Sequence, residues 1–230
     1  MNRLSDRLSA IASLVPEGAR IADIGTDHGY LAIRLALTAS PVSVLATDVR
    51  RGPLESARRH IAEAGLENVI RLRLCDGLAA VSPEEADVIV IAGMGGETIR
   101  GILDRAPWAL RDGRLLILEP QSKQEELRRW LYDNGCGIRE EHLAEEAGKI
   151  YPILLAGGAP EREPSPTEFF IGVWQEEKHD ALFRRYLQTQ ITRLERERQG
   201  LLCTQDEEKR KRLPELTALI AGLRTMEGGE

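Results

Sequence analysis

Residues 19–31, Ala-Arg-Ile-Ala-Asp-Ile-Gly-Thr-Asp-His-Gly-Tyr-Leu, constrain this chain more than any other stretch. Ile21, Ala22 and Ile24 read as the end of a buried parallel strand. Gly25 to Gly29 read as a tight turn, and Tyr30-Leu31-Ala32-Ile33 opens a helix. A strand, a glycine turn and a helix in that order form the device by which α/β sheets hold nucleotide-like ligands. The glycines allow backbone N–H groups to approach such a ligand closely.

The spacing separates one ligand class from another. A dinucleotide site asks for G-x-G-x-x-G. Here Gly25 and Gly29 are four apart with Asp27 between them, and the pattern from Asp23 is D-x-G-x-D-x-G. Crowded acids repel a pyrophosphate but attract the sulfonium and ammonium groups of S-adenosylmethionine. The loop therefore points to methyl transfer. The bland alternative is an ordinary glycine turn in another α/β protein.

The rest of the first 157 residues repeats the β–α alternation. A short amphipathic helix over 2–15 carries Leu4, Leu8, Ile11, Leu14 and Val15 on one face. Arg3 and Arg7 lie off that stripe and read as solvated charges, with a phosphate contact as the sharper reading. Val42 to Ala46 is a second strand ending at Asp48, where an acid can grip ribose hydroxyls. Gly52-Pro53 then starts a helix. Val69 to Leu74 is a third strand, followed by Cys75-Asp76-Gly77-Leu78. Asp76 is either a helix N-cap or a ligand to the cofactor, and the matching positions of Asp23 and Asp48 favour the ligand. Ala86 to Ile91 is a fourth strand. Ala92-Gly93-Met94-Gly95-Gly96 follows it, beside the first loop at the switch point of the sheet. It reads as a substrate loop that admits a flat ring, with Met94 to pack against a base. Arg114 to Leu118 is a fifth strand ending Glu119-Pro120-Gln121. Segments 137–143 and 149–156 form a terminal strand pair. His60 and His142 lack partners at ligand spacing and read as structural or surface residues.

Residues 157–167 hold three prolines and two glycines and read as a linker. Beyond them, 168–174 is an apolar stretch expected to dock on the first domain. Residues 176–201 are a long helix with Leu187, Ile191, Leu194 and Leu201 as its seam. Thr204 to Glu207 looks like a capping box. A second helix with Leu213, Leu216, Ile220 and Leu223 completes an antiparallel hairpin, kinked or restarted at Pro214. The expected domains are thus 1–157 and 168–230. Basic runs on the hairpin (Arg184-Arg185, Arg193/Arg196/Arg198 and 209–212) read first as solvated helix faces. Residues 161–230 hold 12 Lys/Arg against 14 Asp/Glu.

Composition excludes several classes. No run of 18 apolar residues is present to span a membrane, and the charged first residues lack the apolar core of a signal peptide. Three scattered cysteines form neither a metal pair nor a disulfide framework, so a reducing, cytoplasmic setting is expected. No metal site is expected. The net charge of −6 does not advertise nucleic acid, although a local basic patch is what decides that.

Taken together, Asp23-Ile-Gly-Thr-Asp-His-Gly-Tyr-Leu31, Gly52-Pro53, Cys75-Asp-Gly-Leu78, Ile91-Ala-Gly-Met-Gly-Gly96, Leu118-Glu-Pro-Gln121 and Gly148-Lys-Ile-Tyr151 resemble the bacterial tRNA (adenine-22-N1)-methyltransferases. The resemblance runs from residue 4 into the hairpin. It implies a Rossmann-like class I methyltransferase sheet with a C-terminal helical hairpin, a coiled-coil domain that helps hold tRNA. It implies S-adenosyl-L-methionine at Asp23, Gly25, Asp27, His28, Gly29, Asp48, Asp76, Gly77 and Gly93. Tyr30, Met94, Gly95 and Gln121 would position the base. Gly29 stands where the family commonly has Ala, Thr47-Asp48 where it has Gly-Glu, and Glu119-Pro-Gln121 where it has Gln-Pro-Asn. Two other readings stay open: a methyltransferase of the same fold acting on another RNA or a small molecule, and a cofactor-free scaffold. Whether the hairpin pairs two copies also stays open.

Overall fold

The computed structural model describes residues 5–111, 113–174 and 180–227. By its internal contacts the chain divides into two compact units, Met1–Arg162 and Glu163–Glu230.

The described residues of the first unit form a seven-stranded sheet. The strands are β1 (Arg20–Ile24), β2 (Ser43–Asp48), β3 (Ile70–Leu74), β4 (Val88–Met94), β5 (Leu115–Pro120), β6 (Ile138–Glu146) and β7 (Lys149–Ala156). Their order is β3-β2-β1-β4-β5-β7-β6. The first five run parallel, and β7 enters antiparallel to β5. This is the Rossmann-like sheet that the β–α alternation implied. Burial on both faces explains why the inner strands read as unbroken aliphatic runs. Ala22, Ile89, Ile91 and Leu116 pack on one face, and Ile21, Val44, Val90 and Ile117 on the other. Pro152 is tolerated because β7 meets β5 only over 154–156, so its missing N–H falls beyond that ladder.

The helices of this unit are α1 (Asp6–Ser13), α2 (Tyr30–Thr38), α3 (Arg51–Glu63), α4 (Gly96–Asp104) and α5 (Gln124–Asp133). Ser5 caps α1. Of the expected helix over 2–15, residues 2–4 lie outside the described residues, including Arg3 and Leu4. Pro53 is the third residue of α3 rather than its first. Arg128 on α5 is 2% exposed and forms a two-pronged ion pair with Glu141 on β6, at 2.7 and 3.0 Å. Neither residue interrupts the local pattern in sequence, so only the three-dimensional arrangement reveals the pair.

In the second unit, α6 (Pro166–Ile171), α7 (Ala181–Cys203), α8 (Glu207–Arg210) and α9 (Leu213–Glu227) follow one another. The expected linker 157–167 is therefore too long at its end. Ser165 and Glu168 make a capping box that starts α6 inside it. Within this unit α6 packs on α9, where Gly222 leaves room for Thr167. Tyr186, Leu187, Ile191 and Leu194 of α7 are buried, as are Leu216, Ile220 and Leu223 of α9. Ion pairs Arg212–Glu197 and Arg224–Glu195 tie the hairpin's two arms. The cap expected at Thr204 is supplied instead by Asp206, which accepts from the Glu208 and Lys209 N–H groups. The helix breaks at 211–212 and restarts with Pro214 in its first turn, where a missing N–H costs nothing.

Candidate active site

The switch point lies between β1 and β4, where the order of connections reverses. A cleft of about 710 Å³ opens there, within the size range of small-molecule sites. Its walls come from the loops after β1, β2, β3, β4 and β5 and from α1, α2 and α4. It brings together Asp23, Gly25, Asp27, His28, Tyr30, Asp48, Asp76, Gly77, Gly93, Met94 and Gln121. Two of the residues expected there do not line it. Gly29 (φ 78°) starts α2, where a Cβ would sit 3.0 Å from Ala57 of α3. Gly95 packs against Ser122, with a Cβ position 3.0 Å from its Oγ. Both serve close packing of the helices that follow.

The first loop is pinned to β2. The Gly25 and Thr26 N–H groups both donate to the Thr47 carbonyl at 2.8 Å. Asp48 is 5% exposed, and each of its oxygens accepts one backbone N–H, from Asp27 at 3.2 Å and from Arg50 at 2.9 Å. A carboxylate has about four lone-pair sites, so Asp48 is fixed in place with capacity to spare. Asp23 is 2% exposed and accepts from the Thr26 hydroxyl at 2.6 Å. Burial pushes its pKa up to about 6; the Asp48 charge adds to the rise, and the Thr26 hydrogen bond opposes it. Asp76 is exposed, pairs with Arg105 at 3.2 Å and starts a turn, with no helix for it to cap.

Opposite this acid wall the β4–β5 ladder carries a bulge. Ala92 pairs with Glu119 and Met94 with Pro120, leaving Gly93 (φ 75°) as the extra residue. A bulge frees an N–H from the ladder. Here Glu119 Oε2 accepts it at 2.7 Å, and the same oxygen accepts from Arg7 Nη1 at 2.6 Å. Glu119 is fully buried, and its other oxygen has no partner among the described residues. Burial pushes its pKa up, while Arg7 and the Gly93 amide pull it back. Arg7 also donates to Glu146 at 3.0 Å and lies 5.3 Å over the Tyr151 ring. The solvated charge expected at Arg7 is thus corrected: its side chain is 14% exposed and lines the cleft. Met94 reaches across to the first loop, where a Cβ on Gly25 would fall 2.2 Å from its Cε.

Among the described residues, five carboxylates (Asp23, Asp27, Asp48, Asp76, Glu97) and three guanidinium groups (Arg7, Arg50, Arg105) line the cleft. The excess of carboxylate acceptors suits a ligand with hydroxyls and positive charge. The same residues show no group of three or more His, Cys, Asp or Glu able to hold a metal ion. No described helix is long and apolar enough to cross a membrane.

Residues 4–154 match the family model described as a methyltransferase domain. A Bacillus subtilis tRNA (adenine(22)-N(1))-methyltransferase is 39% identical over 154 residues, a match covering 67% of this chain and 65% of that protein. A Streptococcus pneumoniae structure, described as a candidate tRNA (m1A22) methyltransferase in complex with S-adenosyl-L-methionine, is 33% identical. That match covers 98% of this chain and all of the other at a TM-score of 0.83. The chain belongs to the tRNA (adenine-22-N1)-methyltransferase family. The crystal structure of the B. subtilis m1A22 tRNA methyltransferase TrmK aligns at a TM-score of 0.88 and 29% identity, covering 99% of this chain and all of that one. By sequence, this chain matches 65% of the length of its curated B. subtilis relative.

The fit to S-adenosylmethionine is readable from the chain's own residues. Gly25 (φ 77°) and Gly77 (φ 58°) line the cleft in left-handed conformations, at positions where a Cβ would run into Met94 and Ile102 respectively. Asp48 keeps unused acceptor sites, and the acids outnumber the arginines. Sequence reasoning missed the Arg7–Glu119–Glu146 network, because residues 112 and 139 positions apart carry no shared local pattern. Its one signal was an arginine beside the apolar stripe of an amphipathic helix. His60, expected to be structural or superficial, stacks on Tyr30 with ring centroids 4.8 Å apart.

Proposed function

We propose that this chain transfers a methyl group from S-adenosylmethionine to N1 of an unpaired adenine in tRNA, at position 22. The observation that carries this reading is the acid-walled cleft at the β1/β4 switch point, faced by the bulged Gly93 loop, in a chain of this family. Asp48 holds the ribose hydroxyls and Asp76 the adenine amino group of the cofactor. Asp23 and Asp27 supply negative charge toward its cationic end, and Gly25 and Gly77 admit its backbone-hugging parts. When bound, the cofactor supplies an electrophilic methyl group on a sulfonium.

Adenine N1 carries its own lone pair and forms a cationic ring, so no side chain has to remove a proton. His28 as a general base is chemically unnecessary. The chain's contribution is alignment and exclusion of water. The Glu119 carboxylate fixes the Gly93 amide, and the Gln121 N–H donates to the Met94 carbonyl at 2.9 Å. Together they hold the loop that receives the base. Met94 and Tyr30 bound its faces, and Gln121 meets its edge. N1 lies on the Watson–Crick edge, so the target must leave its stack and pair. The basic runs of the second unit act as a clamp on the tRNA backbone.

Incubation of unmethylated tRNA with the protein and S-adenosylmethionine, followed by nucleoside mass spectrometry, tests the reading. N1-methyladenosine is the expected product. Cofactor binding without any methylated adenosine in tRNA would overturn the substrate assignment.

A further inference from the structure

Aromatic residues are scarce in this chain, at 4% Phe, Trp and Tyr, yet rings gather at one rim of the cleft. Tyr30 opens α2 and is 37% exposed. His60, near the end of α3, lies against it nearly parallel, with an interplanar angle of 19° and centroids 4.8 Å apart. His28 completes the group at 6.0 Å from Tyr30 and 6.2 Å from His60. A stacked ring pair at a solvent-facing rim has no core to fill. It offers a π-surface to a ligand that has one.

Arginines stand close beside the pair, in a chain of acidic overall balance. Arg34 stands one turn beyond Tyr30 on the same face of α2 and is exposed. Arg59 stands beside His60, exposed, with a 3.4 Å contact to Ser56. Neither guanidinium forms an ion pair among the described residues. Arg50 lines the same rim, where it faces Asp27 at 3.8 Å and Asp48 at 3.6 Å. Residues 50–60 hold four arginines against one glutamate in a chain of net charge −6. Rings interleaved with arginines are how proteins hold single-stranded nucleic acid: bases stack on the rings, and phosphates meet the cations.

We propose that His60, on its ring face turned away from Tyr30, is a stacking ledge for a second tRNA base, the neighbour of the one that Tyr30 bounds in the cleft, with Arg34 and Arg59 on the phosphates beside it. The inference rests on the tRNA reading above and deepens it. Turning one base out of a stack exposes its neighbour's face. A ledge at the rim replaces that lost stacking partner and holds the strand open while the target sits inside.

A purely structural role for His60 is a real alternative, since its Nδ1 lies 2.9 Å from the His28 carbonyl and ties α3 to the cofactor loop. Two substitutions separate the roles in the full-length protein. His60→Asn can keep a hydrogen bond to that carbonyl and loses the ring. His60→Phe keeps the ring and loses the hydrogen bond. The ledge requires KM for tRNA to rise about tenfold in His60→Asn, the scale of one lost base stack, and to stay within about twofold of wild type in His60→Phe. Calorimetry with S-adenosylmethionine should give the same affinity for both variants. A Phe variant no better than the Asn variant, or an Asn variant with wild-type KM, overturns the ledge. Arg59→Ala should also flatten the dependence of log KM on log salt by about one phosphate contact; an unchanged slope removes Arg59 from the ledge. A wild-type protein that binds the cofactor and methylates no tRNA would instead refute the functional reading itself, a result distinct from all of these.

Discussion

Asp23 is the acid that the cleft holds least comfortably, and Asp23→Asn exposes that cost. Its folded pKa, raised to about 6 from an ordinary value of 3.8, means that the folded chain binds this proton more tightly than the unfolded chain does. The stabilisation from that proton is complete below the unfolded pKa and is lost as pH rises through about 6. A difference of about two units at 1.36 kcal/mol each leaves the ionised residue destabilising by about 3 kcal/mol at neutral pH. Asparagine keeps a carbonyl to accept the Thr26 hydroxyl at 2.6 Å but carries no charge. Urea unfolding of both proteins without cofactor, from pH 4.5 to 8, measures the effect. The variant should gain on wild type progressively with pH, by about 2 kcal/mol between the ends of the range, since pH 4.5 already lies above the unfolded pKa. It should also bind S-adenosylmethionine more weakly, since the charge that strains the fold is the one offered to the sulfonium. A stability difference that stays flat with pH, or shrinks as pH rises, would refute the reasoning.

Asp48→Ala should weaken cofactor affinity by about 1–3 kcal/mol through loss of hydrogen bonds to a charged acceptor, read by calorimetry; an unchanged Kd would remove the ribose assignment. Arg7→Ala strands a fully buried carboxylate. The expected cost is about 3 kcal/mol or more of stability at neutral pH. That cost should be smaller in acid, where Glu119 takes up a proton, and denaturation at pH 5 and pH 8 checks it. Removal of residues 163–230 should raise the Kd for tRNA in filter binding while leaving cofactor affinity within about twofold; equal tRNA binding would end the clamp assignment.

The sheet was legible because each β–α unit announces itself locally. Ile21 to Ile24, Val42 to Ala46 and Ala86 to Ile91 are aliphatic runs closed by glycine or acid, and such runs pair in parallel with helices on both faces. The cleft was legible for the same reason. In a doubly wound sheet the carboxyl ends of the strands converge, so residues just after each run share one address. What escaped was everything set by distant partners. Arg7 reads as a solvated charge until β5 and β6 bring Glu119 and Glu146 to it. Arg128 and Glu141 carry no local mark of their pairing, which forms only where α5 lies on β6. His60 has no sequence neighbour that reveals Tyr30. In the second unit the misreadings were of competing local signals. Ser165 with Glu168 outweighed the three nearby prolines, because Pro166 occupies a first-turn position that a helix tolerates. Asp206 outcompeted Thr204 as a cap, because its carboxylate reaches two N–H groups at once.

Primer extension on tRNA after reaction gives the most direct test of the proposed chemistry. A methyl group on N1 blocks the Watson–Crick edge and halts reverse transcription at the modified residue. With unmethylated tRNA, protein and S-adenosylmethionine, the expected result is a stop at adenine 22 that disappears when the cofactor is omitted or when that adenine is replaced by guanine. Read-through at adenine 22, or a stop at some other residue, would contradict the assignment.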